Sequence, residues 1–190
     1  MKRQAAIDPP SFEPYFDLIS RAISEVDDGF FKLATTYEPS GIVRERAFCY
    51  ELYHQIRNQM DENDPLSLNG EIDKRGHIDF AKEDWKNPDF VFHIPGTHLG
   101  NTIAIEVKGT LGRKNNIIED FATLLTFTER YGYQVGLFIL YNHTYDEFRD
   151  EMRDLLYQFS ARPTIDSIYI LTISSQGGAL DIEKLSSLFG

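Results

Sequence analysis

Between residues 43 and 60 the apolar positions Val43, Ala47, Phe48, Leu52 and Ile56 recur at helical spacing. VRERAFCYELYHQIRNQM therefore reads as an amphipathic helix with one buried stripe, ended by DENDP at 61–65. The period then changes. LSLNGEID, 66–73, alternates like a strand and KRGH supplies a turn. NPDFVFHIP, 87–95, is a second β-rich run, with Asp89, Val91 and His93 on one face and Phe90, Phe92 and Ile94 on the other. TIAIEVKG, 102–109, is a third, with Ile103, Ile105 and Val107 opposed to Ala104, Glu106 and Lys108.

The helical period returns over about 116–131, where Ile117, Phe121, Leu124, Leu125 and Thr128 share a face and Gly132 closes the end. QVGLFILYN, 134–142, is continuously apolar, as in a strand buried on both faces. An amphipathic helix at 144–159 and a buried strand at 166–174 follow. Upstream, Pro9, Pro10 and Pro14 make an extended lead-in to a helix at about Tyr15–Val26, and 31–42 reads as irregular. The expectation is one α/β domain over 1–190, a mixed central sheet with helices on both faces. Residues 1–42 form its lead-in and 143–190 its C-terminal extension.

Composition supports a packed domain and narrows its setting. The chain has 190 residues, 42% of them hydrophobic, so it can close a core. No apolar run is long enough to span a bilayer, and MKRQAAIDPPSFEP lacks the apolar stretch of a signal peptide. The single cysteine, Cys49, excludes an internal disulfide and a Cys-rich zinc site. A cytoplasmic location with no membrane partner is the expectation. Net charge is −11, which argues against a protein that grips nucleic acid over its whole surface. The charge is uneven, however: 1–73 carries a net −7, 115–190 a net −6, and 74–114 a net +2.

The candidate chemistry falls in that middle segment. An acid-x-Lys triplet alone says little, since about 1.3 are expected from this composition. Two occur, at Asp84–Lys86 and Glu106–Lys108. Context separates them. Glu106 and Lys108 stand on one face of a strand that is otherwise apolar, about 7 Å apart, and buried charges there need a partner or a metal. Pro88-Asp89 opens the preceding strand and is the only Pro-Asp in the chain. If the two strands pair, Asp89 and Glu106 converge, and a hard divalent cation relieves their repulsion. The bland reading is a Glu–Lys pair on a solvated sheet face.

Pro88-Asp89 followed by Glu106-Val107-Lys108 resembles the PD-(D/E)XK nuclease superfamily, the restriction-endonuclease-like fold. The resemblance covers about 43–142 and implies an αβββαβ core. It also implies a Mg²⁺-dependent nuclease, with Mn²⁺ as substitute, hydrolysing DNA phosphodiester bonds. Asp89 and Glu106 would hold the metal and Lys108 would polarise the attacking water. Many members carry a further Glu on the helix before the sheet, and Glu51 is the candidate, with catalytic and metal roles. Glu71, on the first strand, is a second candidate metal ligand. Lys74, Arg75, Arg113 and Lys114 form a basic fringe suited to phosphate contacts. The implied setting is bacterial or phage defence, restriction or repair.

The acidic termini predict weak DNA binding unless a basic protein partner or a homodimer adds affinity. The rival reading is a non-catalytic interaction protein that keeps the nuclease-like fold and binds a basic partner or mimics DNA. His77, His93 and His98 lack the spacing of a zinc motif, and no Walker A, G-x-S-x-G or G-x-G-x-x-G occurs.

Overall fold

The computed structural model describes residues 10–70, 87–95 and 100–190. Its helices are α1 (Glu13–Ser24), α2 (Asp28–Phe31), α3 (Glu45–Gln59), α4 (Lys114–Arg130) and α5 (Tyr145–Leu156). Its strands are β1 (Ser67–Gly70), β2 (Phe90–His93), β3 (Ile103–Lys108), β4 (Val135–Tyr141), β5 (Ile168–Ile173) and β6 (Leu180–Lys184). The six strands form one mixed sheet in the order β1-β2-β3-β4-β5-β6. β1–β2, β2–β3 and β5–β6 are antiparallel, whereas β3–β4 and β4–β5 are parallel. The two parallel joins need long crossovers, and α4 and α5 supply them. The expected α/β class, a mixed sheet with helices on both faces, is what the chain adopts.

The side chains sort by the two periods. Phe90, Phe92, Ile103, Ile105 and Val107 pack against α1 and α3 in one apolar cluster. Val91, Ala104, Phe138 and Leu140 pack against α4 and α5 in the other. Every residue of β4 is buried, as its unbroken apolar run requires. An aromatic stack fixes α3 to the sheet: the Phe48 and Tyr141 rings lie 3.9 Å apart at 3°, with Phe31 edge-on to both.

Some boundaries differ from the sequence pattern for local reasons. α1 begins at Glu13, two residues before the expected start, because Pro14 falls in its first turn, where a missing N–H costs no intrahelical bond. α2 falls between the expected helix at about Tyr15–Val26 and the stretch 31–42 expected to be irregular, within which Leu33 bridges Ile42. β6 lies outside the expected elements; four of its five residues are exposed, so it carries no burial pattern. α5 starts on a capping box, in which Glu147 N–H donates to the Thr144 hydroxyl while the Glu147 carboxylate accepts from Thr144 N–H.

Candidate active site

β2 and β3 pair in the register Phe90↔Ile105, Val91↔Ala104 and Phe92↔Ile103. One step further along, that register sets Asp89 opposite Glu106. Glu106 shares the face of Ala104, the side of the sheet covered by α4, and Asp89, just before β2, reaches the cleft described below. Asp89 is anchored there: its Oδ2 accepts from Val107 N–H at 2.8 Å. Glu106 is buried, at 6% exposure, and Lys108 follows on the same face.

Lys108 ends β3 between two helices. Its Nζ lies 2.9 Å from Asp120 Oδ2 on α4 and 3.7 Å from Glu45 Oε2 on α3. Burial opposes the ammonium charge, but Asp120, Glu45 and Glu106 together hold Lys108 above its ordinary range. Burial pushes the Asp120 carboxyl up to about 6; Lys108 pulls it down, while Asp89 and Glu45 push it up. Cys49 lies in the same neighbourhood. Burial raises its thiol first, and Asp89, Glu45 and Glu106 add to that while Lys108 opposes it. These surroundings favour the protonated thiol over the thiolate.

Asp89, Lys108, Glu45 and Cys49 line a cleft of about 990 Å³ outside the carboxyl end of β3, whereas Glu106 and Asp120 are not among its lining residues. Its walls come from the first half of α3, the end of β1, the start of β2 and the segment leading into α4. The charged groups lining it are Arg44, Arg46, Arg113 and Lys108 against Glu45 and Asp89, a net of +2 in a chain of −11. Thus the positive charge that the sequence concentrates in its middle is supplemented in space by Arg44, just before α3, and Arg46 in its first turn.

The sequence-derived residues fare differently. Asp89, Lys108 and Arg113 line the cleft, whereas Glu106 is buried and is not among its lining residues. Glu51 is not among the lining residues; its Oε1 accepts from Gln55 at 2.6 Å, one turn along α3. The α3 carboxylate nearest Lys108 is Glu45 instead, a full turn and a half earlier on the helix. Lys114 turns to α5 and pairs with Glu151 at 3.2 Å. Glu71, Lys74 and Arg75 lie outside the described residues, as do His77 and His98. His93 Nε2 is 2.9 Å from Asn69 Oδ1, a strand-to-strand contact.

Asp120 was legible in principle. It sits three residues after Ile117 and four before Leu124, an acid on the buried stripe of α4. Glu45 similarly stands three residues before Phe48 and four before Cys49, on the buried side of α3.

Among the described residues no group of three or more His, Cys, Asp and Glu side chains is placed to hold a metal ion. The donors that the sheet does bring together are two carboxylates, Asp89 and Glu106. Mg²⁺ ordinarily takes one or two carboxylates and completes its shell with water and substrate phosphate, so this donor chemistry fits it. Also among the described residues, no helix is long and apolar enough to cross a membrane. Compared with protein-family models, curated proteins and solved structures, the chain matches none.

Proposed function

We propose that the protein is a metal-dependent phosphodiesterase acting on DNA, of the PD-(D/E)XK type that its motif resembles. The observation that supports this reading is the bond from Val107 N–H to Asp89, which ties that carboxylate to β3 between Glu106 and Lys108. The residues that would hold Mg²⁺ or Mn²⁺ are Asp89 and Glu106. When bound, the ion lowers the pKa of a coordinated water and offsets charge on the phosphate.

The chain's own residues do the rest. Val107 N–H fixes one oxygen of Asp89 and so orients its carboxylate. Asp120 and Glu45 hold the Lys108 ammonium at the end of β3. There it supplies fixed positive charge toward a phosphoryl group that gains negative charge in the transition state. Arg44, Arg46 and Arg113 position flanking phosphates in the cleft. A basic partner protein or a second copy of the chain would add affinity that the acidic remainder withholds.

The test is cleavage of supercoiled plasmid and labelled oligonucleotides in Mg²⁺, Mn²⁺ or EDTA by wild type and Glu106→Gln. Metal-dependent cutting that Glu106→Gln abolishes is the expected result. Cutting in EDTA, or an equally active Glu106→Gln, overturns the mechanism. A second reading, a non-catalytic interaction protein, is favoured by the two carboxylates that already engage Lys108. It predicts no cutting under any of these conditions.

A further inference from the structure

The α3 wall of the cleft carries a group that phosphodiester chemistry does not call for. Tyr50 is 68% exposed yet lines the cleft, with Arg46 one turn before it and Tyr53 one turn after it. Tyr53 is fixed in place: its ring packs against Phe90 and its hydroxyl donates to Leu68 C=O at 3.4 Å. Tyr50 stands outside the apolar core and lines the same cleft as Arg44, Arg46 and Arg113.

Resting on the reading of this cleft as the nucleic-acid site, we infer that its substrate is an unpaired strand, with one base stacked on Tyr50 and its flanking phosphates on Arg44, Arg46 and Arg113. Inside a duplex both faces of each base are already stacked on neighbours, so an exposed ring gains little from it. An unpaired base offers a free face, and aromatic stacking is how single strands are held without sequence readout. Arginine beside the ring adds a cation that can face either the base or the phosphate. The cleft's size agrees. About 990 Å³ is at the upper end of pockets that enclose one small ligand, room for a few nucleotides of one strand. The charge also agrees, because a net +2 confined to the cleft suits a short strand, and the acidic remainder would repel a long duplex laid across it.

The experiment is fluorescence anisotropy with the full chain in EDTA, where binding is read without cleavage. The probes are a labelled single-stranded DNA, the same sequence as a duplex, and the same sequence as RNA. The variants are Tyr50→Ala, Tyr50→Phe and, as a control outside the cleft, Tyr37→Ala, whose ring is 96% exposed. Wild type should bind the single strand more tightly than the duplex. Tyr50→Ala should weaken single-strand binding about ten-fold, while Tyr50→Phe and Tyr37→Ala leave it unchanged. With three arginine contacts the logarithmic salt slope should be about −2. The RNA arm decides which sugar the strand carries, and Tyr50-dependent binding of either one supports the site. Duplex bound as tightly as single strand, or Tyr50→Ala binding like wild type, overturns the inference. Tyr50-dependent strand binding without metal-dependent cutting would keep the strand site and sink the nuclease reading. Metal-dependent cutting of duplex that ignores Tyr50 would do the reverse.

Discussion

The Lys108 ammonium lies 2.9 Å from the Asp120 carboxylate, an ion pair that ties the last residue of β3 to the second turn of α4. Both side chains are nearly buried, at 14% and 15% exposure. The two partners respond differently to the same contact. Lys108 faces several carboxylates and is held charged, whereas burial first, with Asp89 and Glu45 adding to it against the pull of Lys108, pushes Asp120 up to about 6. The pair therefore leaves a surplus of negative potential at the β2–β3 edge, the condition that favours binding of a further cation.

That surplus has a pH signature. Asp120 has its folded pKa raised, from 3.8 to about 6, so the folded protein binds this proton more tightly than the unfolded chain does. The Asp120 carboxylate thus costs stability above about pH 6, and the cost is relieved as pH falls from 6 toward 4. Asp120→Asn lacks this dependence. Urea unfolding at pH 4, 5, 6 and 7 should show the stability of Asp120→Asn rising relative to wild type as pH increases. A constant difference across that range would mean that Asp120 titrates normally.

Metal binding should separate charge from hydrogen bonding at Asp89. Asp89→Asn keeps an oxygen for Val107 N–H and removes repulsion with Glu106, so its metal-free stability should equal or exceed wild type. Asp89→Ala leaves that N–H without its acceptor and should cost about 1–3 kcal/mol. Mn²⁺ at one hundred times its dissociation constant should stabilise wild type by about 2.7 kcal/mol. At this chain length that is roughly 5–11 °C in Tm. Asp89→Asn should lose most of the gain. Melts in EDTA and in Mn²⁺ read all four quantities, and a wild type indifferent to Mn²⁺ would remove the metal site.

Removing the Lys108 side chain should have two separable effects. Lys108→Ala should lower the cleavage rate on the order of 10²-fold or more. It should also destabilise the fold, by about 3–5 kcal/mol for breaking a buried pair, because Asp120 loses its nearest cation. The double variant Lys108→Ala/Asp120→Asn should recover stability without recovering cleavage. Single-turnover rates paired with urea melts distinguish the two, and cleavage restored in the double variant would assign Lys108 a structural role only.

Gly109 follows Lys108 where no side chain fits. A Cβ there would overlap the Tyr141 ring and Val43. Val43 packs against the core just before α3, and Tyr141 of β4 is locked in the stack with Phe48. Gly109→Ala should therefore cost about 1–3 kcal/mol as an overpacked site. Urea midpoints should fall accordingly, and an unchanged midpoint would show that β3 can shift at its carboxyl end.

The parts of this architecture readable in the chain are those with a strong period. β4 is an unbroken apolar run and β3 is apolar except for its two charges, so their positions followed directly. Asp89 and Glu106 could be brought together on paper because two short strands joined by a turn usually pair. What could not be read was how the helices meet the ends of that pair. Glu45 and Asp120 act across space on Lys108 from positions 63 residues before it and 12 after it. Glu51 was the more conspicuous acid by its place beside the Leu52 stripe, yet a helix advances by a fixed 100° or so per residue, and position 45 is the one that reaches the end of β3. β6 escaped because an exposed edge strand of charged residues has no buried face to write into the sequence.

Among the described strands, each lies beside the one before it in the chain, so none must be threaded between two already joined. During synthesis the sheet can therefore be laid down from one side, in the order in which the ribosome delivers it. Asp89, Glu106 and Lys108 are in place once β3 meets β2, but the lysine waits for α4 to bring Asp120. Until about a dozen further residues emerge, Glu45 is the ion-pair partner that the nascent chain can offer Lys108. Assembly of the chemistry and closure of the domain are thus successive events, and α4 is the element that links them.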